Sequence, residues 1–404
     1  MSTDKRIFLH IGAPLVGAGA LQDALWHNGP ALAAHGVCYP LEDPHQHFAA
    51  TMDLREMSWG GQRDPAWSGV WDRVAARVRE WDGDRVVLSQ ELLGGATEAQ
   101  ARRAVESLGP GEVHVVFTAR DLARQMAADW QEHVKHEHTV TFDQFVDDLV
   151  MKGIEAPAPF GEMFWGLHDP VRVLAAWGAA VPRERVHVIT APRGASGGAG
   201  LWGRFAELAG IAPEWCDLGP IREHDPLGLA EAELIRRVNE RLGSSLGGDY
   251  EPLVRRHLAN SLLADRAGRD GHVEVVVPVR HHPWMRARSQ ELIDGLAAAG
   301  YDIVGDIAEL MPDLGGAAPA EPVAAHALNE VAVEVIEALL RDLARSRERT
   351  QIAEINHELA QVREQLSRLS AAPPARPSVM RRSGRRFRGP GSGPAGGAGG
   401  GGRA

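Results

Sequence analysis

Three groups of residues have the types and spacing for anion and proton chemistry. The run Gly12-Ala-Pro-Leu-Val-Gly17 follows the alternation Ile7, Leu9, Ile11 and precedes Leu21, Leu25 and Trp26, which begin a helical apolar stripe. Glycines in a turn between a strand and a helix let the backbone approach a ligand and aim the N–H groups of the helix start at an anion. Arg120 closes the apolar run Val113 to Thr118 and stands before Asp121. Its planar guanidinium suits paired, charge-assisted bonds to phosphate oxygens; the plainer alternative is a strand-end arginine paired with a carboxylate. Glu91 ends Ser89-Gln-Glu, directly after the strand-like run Arg85 to Leu88. A carboxylate there accepts a proton if burial raises its pKa toward the working pH, or else caps a turn or pairs with Arg120.

The glycine loop keeps its outline and lacks its usual side chains. The strict phosphate-loop pattern of Gly, four residues, Gly, Lys and Ser or Thr is met at Gly12 and Gly17 and fails at Ala18 and Gly19. Only three lysines occur, Lys5, Lys135 and Lys152. Lys5 precedes the strand by a length of extended chain, about 25–30 Å from the loop at ~3.3 Å per residue, beyond side-chain reach. Arg193, Arg280 and Arg286 remain as cations that another segment would have to deliver.

The elements that must position these residues follow from the pattern of the chain. Through residue 315, β-like runs (Ile7 to Ile11, Arg85 to Leu88, Val113 to Thr118, Val186 to Thr190, Val273 to Val277) alternate with helical stretches, which predicts an α/β domain around a parallel sheet. Residues 322–370 read as a long helix. In it Ile352, Ile355, Leu359, Val362, Leu366 and Leu369 recur at alternating intervals of three and four, a coiled-coil seam for a homodimer or for packing back on the body. Residues 371–404 are mostly Gly, Pro, Ala and Arg and predict a disordered tail, whose Arg381 to Arg388 cluster reads as a solvated segment without a specific partner or, alternatively, as a contact for anionic surfaces.

Composition sets the outer bounds. The formal charge is -11, and the tail alone carries seven arginines and no acid, so the rest stands at -18. An acidic body does not predict nucleic-acid binding by the fold. There is no apolar run long enough for a membrane span and no secretory leader, so a cytoplasmic protein is expected. Cys38 and Cys216 lie outside any metal-ligand spacing and predict no disulfide framework. His133, His136 and His138 do not share one helix face, and no metal site is assigned to them. His281-His-Pro-Trp284 reads as a surface turn.

Taken together, the motifs resemble those of the sulfotransferase family that uses 3'-phosphoadenosine 5'-phosphosulfate (PAPS), in particular its actinobacterial members. The family's Pro-Lys-x-Gly-[Ser/Thr]-[Ser/Thr] loop aligns on Pro14 and Gly17, with Leu15 for the lysine and Ala18 and Gly19 for the hydroxyls. Its 3'-phosphate arginine aligns on Arg120, the following serine on Ala128 and a nearby aromatic on Trp130; Glu91 falls where the general base lies. Further similar segments are Phe164 to Leu174, Arg185 to Thr190, Leu229 to Asn239 and Tyr301 to Asp306, so the resemblance runs over residues 5–313. It implies a P-loop NTPase-like three-layer sandwich, PAPS as co-substrate, and nucleotide contacts from Gly12, Ala13, Pro14, Gly17, Ala18, Gly19, Arg120 and Ala128. It implies sulfuryl transfer to a hydroxyl or amine with Glu91 as base. The four missing donors, at Leu15, Ala18, Gly19 and Ala128, point to the alternative: a catalytically silent relative that binds a nucleotide or a partner.

Overall fold

The computed structural model describes residues 5–58, 61–193, 197–219, 221, 226–267, 273–315 and 323–370. The expected tail, 371–404, and Trp59 lie outside them. Six strands form one all-parallel sheet in the order β2-β3-β1-β4-β5-β6. They are β1 (Arg6–His10), β2 (Val37–Cys38), β3 (Arg85–Ser89), β4 (Glu112–Ala119), β5 (Val186–Thr190) and β6 (Asp302–Val304). The helices are α1 (Ala18–His27), α2 (Gly29–Ala34), α3 (Gln46–Leu54), α4 (Val70–Glu80), α5 (Glu98–Ser107), α6 (Leu122–Lys135) and α7 (Phe142–Lys152). There follow α8 (Phe160–His168), α9 (Pro170–Gly178), α10 (Gly197–Ala209), α11 (Leu229–Leu242), α12 (Ala264–Ala267), α13 (His282–Ala299) and α14 (Ala325–Ser370), with a π-helix over Glu251–Leu263.

A parallel sheet must be covered on both faces, and the strand sequences are accordingly apolar on both. Ile7, Leu9, Val86, Leu88, Val115, Phe117 and Val188 pack against α3, α4, α5 and α9. Phe8, Val87, Val116 and Ile189 alternate with them and pack against α1, α2 and α10. A third cluster contains no strand: α6, α7, α8, α11, α13, the π-helix and the start of α14 bury Trp130, Phe145, Phe164 and Ile235 among themselves.

One expected strand is absent and a shorter one replaces it. Val273 to Val277 joins no sheet; Val275 and Val277 are buried in the helical cluster, and Val273 instead accepts a hydrogen bond from the Leu229 N–H (2.7 Å). Its apolar residues serve that cluster. The sixth strand is Asp302–Val304, paired with β5 as His187↔Asp302. The His281 to Trp284 segment is likewise no surface turn, because His281 is buried with Nε2 2.6 Å from Asp147 Oδ1, and α13 begins at His282.

The chain divides into two compact units, Met1–Leu339 and Leu340–Ala404, with the boundary inside α14. Leu328, Val331 and Val335 are buried, whereas Ile352, Ile355, Leu359, Val362 and Leu366 are 49–60 % exposed. Among the described residues no helix is long and apolar enough to cross a membrane.

Candidate anion-binding site

The strand order determines where a ligand can sit. The chain leaves β1 toward β2 at one edge and leaves β4 toward β5 at the other, so the connections after these neighbouring strands diverge. Ligands of open parallel sheets bind in the crevice that such a divergence opens at the carboxyl ends. The glycine loop follows β1 and Arg120 follows β4, so the topology brings these two predicted groups together.

The loop hangs on β4. The Ala13 N–H donates to Thr118 O (2.8 Å), and the Thr118 hydroxyl donates to Gly12 O (2.9 Å). Gly12 adopts φ 140°, and a Cβ there would stand 3.3 Å from both Glu91 O and the Phe117 ring, so only glycine lets the loop pass this close to β3's end. Leu15 (φ 61°) and Gly17 (φ 102°) are also left-handed. Gly17 caps α1 with no side-chain acceptor, and no acid lies in the first turn, so no side chain of the helix's own first turn offsets its positive end. Of the template's hydroxyl positions, Gly19 has open space beside it, while Ala18 is packed.

Below the loop runs a directional hydrogen-bond chain. Ser89 Oγ lies 2.7 Å from His10 Nδ1, and His10 Nε2 lies 3.2 Å from Thr118 Oγ1. Because the Thr118 hydroxyl already donates to Gly12 O, its oxygen accepts from His10 Nε2–H, which leaves His10 Nδ1 to accept from Ser89. Such a histidine is neutral: burial lowers its pKa to about 4, against a small opposing effect of the Gly12 backbone. Gln22, from α1, then links this chain to Glu91, with Nε2 3.3 Å from Ser89 Oγ and 2.9 Å from Glu91 Oε2.

Burial raises the Glu91 pKa, opposed by its own backbone and by the Gln22 amide. Burial also raises the Tyr39 pKa, with the negative charge of Glu91 adding to it. His47 stands edge-on to Tyr39, its Nδ1 2.9 Å from Ser89 O and its Nε2 buried without a partner among the described residues. Its pKa falls to about 3 through burial, opposed by the bond to Ser89.

Arg120 is not the ordinary ion-paired arginine. Asp121 caps α6 by accepting from the Arg124 N–H (3.0 Å) and pairs its other oxygen with Arg124 Nε. Among the described residues Arg120 is left with one bond, from Nη2 to Arg124 O (3.3 Å), and its Nε is buried without a partner, as is Arg124 Nη2. Its pKa falls to about 10 through burial and the neighbouring Arg124, against the pull of Asp121, so it stays cationic at neutral pH. Two guanidinium groups therefore share one carboxylate. Buried donors without partners call for an acceptor such as a water or an anion.

The other predicted groups separate from the site or are otherwise engaged. Ala128 lies half-buried on α6, while Trp130 is a core residue that donates to Val140 O (2.9 Å). Lys5 Nζ is tied to Val78 O (2.9 Å) at the opposite end of β1. Arg193 bonds Ala308 O (3.1 Å) and Arg280 pairs with Asp147 (2.9 Å), so both are committed elsewhere; Arg286 is exposed on α13. His133 lies 3.4 Å from Asp129 and His136 3.5 Å from Glu132, and no metal-holding group occurs among the described residues.

Sequence reasoning missed His10, Gln22, Tyr39, His47, Thr118 and Gln125. A polar residue ending an otherwise apolar strand, as at His10 and Thr118, was the available signal. No family model, curated protein or solved structure matches this chain.

Proposed function

We propose that the crevice binds the phosphate groups of a 3'-phosphoadenosine 5'-phosphate-type nucleotide, in the manner of the sulfotransferase family. Its 5'-phosphate lies on the loop 12–17 and the α1 N-terminus, and its 3'-phosphate on Arg120. On this reading the sheet is that of a P-loop-type domain. The observation that carries it is the buried Arg120 Nε, without a partner among the described residues, beside an Arg124 that takes the Asp121 carboxylate.

Binding without rapid turnover is the reading favoured. Sulfuryl transfer needs a cation at the leaving phosphate, and removing one such donor typically costs about 3–4 kcal/mol, roughly 10²–10³ in rate. Leu15 supplies none, and Lys5, Arg193 and Arg280 are held elsewhere. One observation favours the second reading, an active sulfotransferase: the raised pKa of Glu91 suits a general base. There the acceptor oxygen bonds to sulfur, the bond from sulfur to the phosphate oxygen breaks, and the acceptor's proton passes to Glu91.

Calorimetry with 3'-phosphoadenosine 5'-phosphate tests the proposal. Binding that is lost in Arg120→Ala is expected; no heat at millimolar nucleotide would sink it.

The exposed seam of α14 supports association with a second copy of the chain as a parallel coiled coil. With Ile352, Leu359 and Leu366 at one core position and Ile355, Val362 and Leu369 at the other, Glu358 and Arg363 fall at the flanking positions that face each other between parallel chains. Their charges are opposite in both symmetry-related pairs.

A further inference from the structure

A buried row of polar side chains connects the loop to the helical cluster. Gln125 of α6 donates through Nε2 to Pro14 O (3.0 Å), and the same nitrogen lies 3.0 Å from His168 Nδ1 at the end of α8. His168 Nε2 lies 3.3 Å from Asp129 Oδ1, and Asp129 Oδ2 lies 3.4 Å from His133 Nε2. All four side chains belong to residues at most 7 % exposed.

The chemistry of each atom fixes the direction of the row. An amide nitrogen only donates, so His168 Nδ1 accepts, its proton sits on Nε2, and that proton faces the Asp129 carboxylate. The Gln125 amide cannot turn over without cost, because its oxygen would then face the Pro14 carbonyl and the bond to the loop would be lost. In the orientation it adopts, Oε1 is buried without a partner among the described residues. Asp129 and His168 thus hold an amide whose one free choice would release the loop. The Pro14–Leu15 peptide is trans, so a carbonyl pulled toward Gln125 turns the Leu15 N–H to the opposite side.

We propose that Gln125 and His168 are positioning residues that latch the loop 12–17 through the Pro14 carbonyl, so that its amides are set for an anion before one arrives. This rests on the reading of that loop as a phosphate site. The latch itself is a property of the free protein, however, and is measurable without nucleotide. Neither residue touches the anion; both act through the loop backbone.

Amide hydrogen exchange of the full chain, resolved over residues 12–17 and over β5 as a reference, tests the latch in native protein, Gln125→Leu, His168→Leu and His168→Gln. Glutamine at 168 supplies an oxygen to accept from Gln125 and an amide nitrogen to donate to Asp129, so it restores what leucine removes. The expected result is about tenfold faster exchange of the loop in both leucine variants with β5 unchanged, and near-native loop exchange in His168→Gln. The affinity for 3'-phosphoadenosine 5'-phosphate is expected to fall in parallel. Unchanged loop exchange in His168→Leu overturns the latch, and so does equal acceleration of loop and β5, which marks general destabilisation. A folded His168→Gln that exchanges like His168→Leu also overturns it. If native protein shows the expected exchange pattern and binds no nucleotide, the latch stands and the functional reading fails.

Discussion

Acidification from pH 7 to pH 5 is expected to destabilise the first compact unit, through two buried histidines. His10 and His47 have pKa values of about 4 and about 3 in the folded protein, against 6.5 when unfolded. A depressed histidine binds its proton in the unfolded chain first. Its contribution is therefore intact above pH 6.5 and is lost as the pH falls toward the folded value. Integrating proton binding between the two states gives a loss of about 2 kcal/mol for each group over this interval, and about 4 kcal/mol together. Glu91 works in the opposite sense, because its raised pKa lets the folded state take a proton before the unfolded chain does. His114 and His138, lowered to about 4 mainly by burial, add less because solvent screens them. Urea unfolding followed by tryptophan fluorescence at several pH values gives the slope, and comparison with His10→Gln largely cancels the Glu91 contribution. The variant is expected to lose about half of the two-histidine pH dependence. Identical slopes for the two proteins would refute the assignment of a neutral, buried His10.

Two further outcomes are expected. Gly161→Ala places a Cβ 2.8 Å from Ala156 N and closer still to Ile154 O, both rigid backbone, and is expected to cost about 1–3 kcal/mol by urea titration; an unchanged midpoint would show that α8 shifts freely. By light scattering the full chain is expected to be a dimer, Leu359→Asp a monomer, Glu358→Arg weakened, and Glu358→Arg with Arg363→Glu restored, whereas a monomeric native chain would remove the coiled-coil proposal.

The parts of the site that were legible in the sequence are those written locally. A strand, a glycine turn and a helix start are contiguous, so the loop was visible; Arg120 and Glu91 each end an apolar run and were visible for the same reason. The partners that give them meaning are remote. His10 meets Ser89 and Thr118 across 79 and 108 residues, and no local spacing encodes such a meeting. Arg120 illustrates the limit. Its adjacency to Asp121 suggested an ion pair, yet helix capping orients Asp121 toward Arg124. Val273 to Val277 failed for a different reason: a short apolar run says that it is buried and not in what, and here the burial is among helices. Asp302–Val304, three residues long, was too short to register as a strand.

The attachment of the loop to Thr118 has a consequence for how the protein comes into being. Ala13 and Gly12 take their hydrogen bonds from a strand more than a hundred residues later, so a nascent chain that has emerged only through α5 carries the glycine motif without its shape. Closing so long a stretch of chain is entropically demanding and belongs to the slow, non-local part of folding. The motif is therefore no transferable cassette. Its shape arrives late, when β4 inserts beside β1, and a fragment ending before residue 112 would possess the letters of the loop without the bonds to Thr118 that set its geometry.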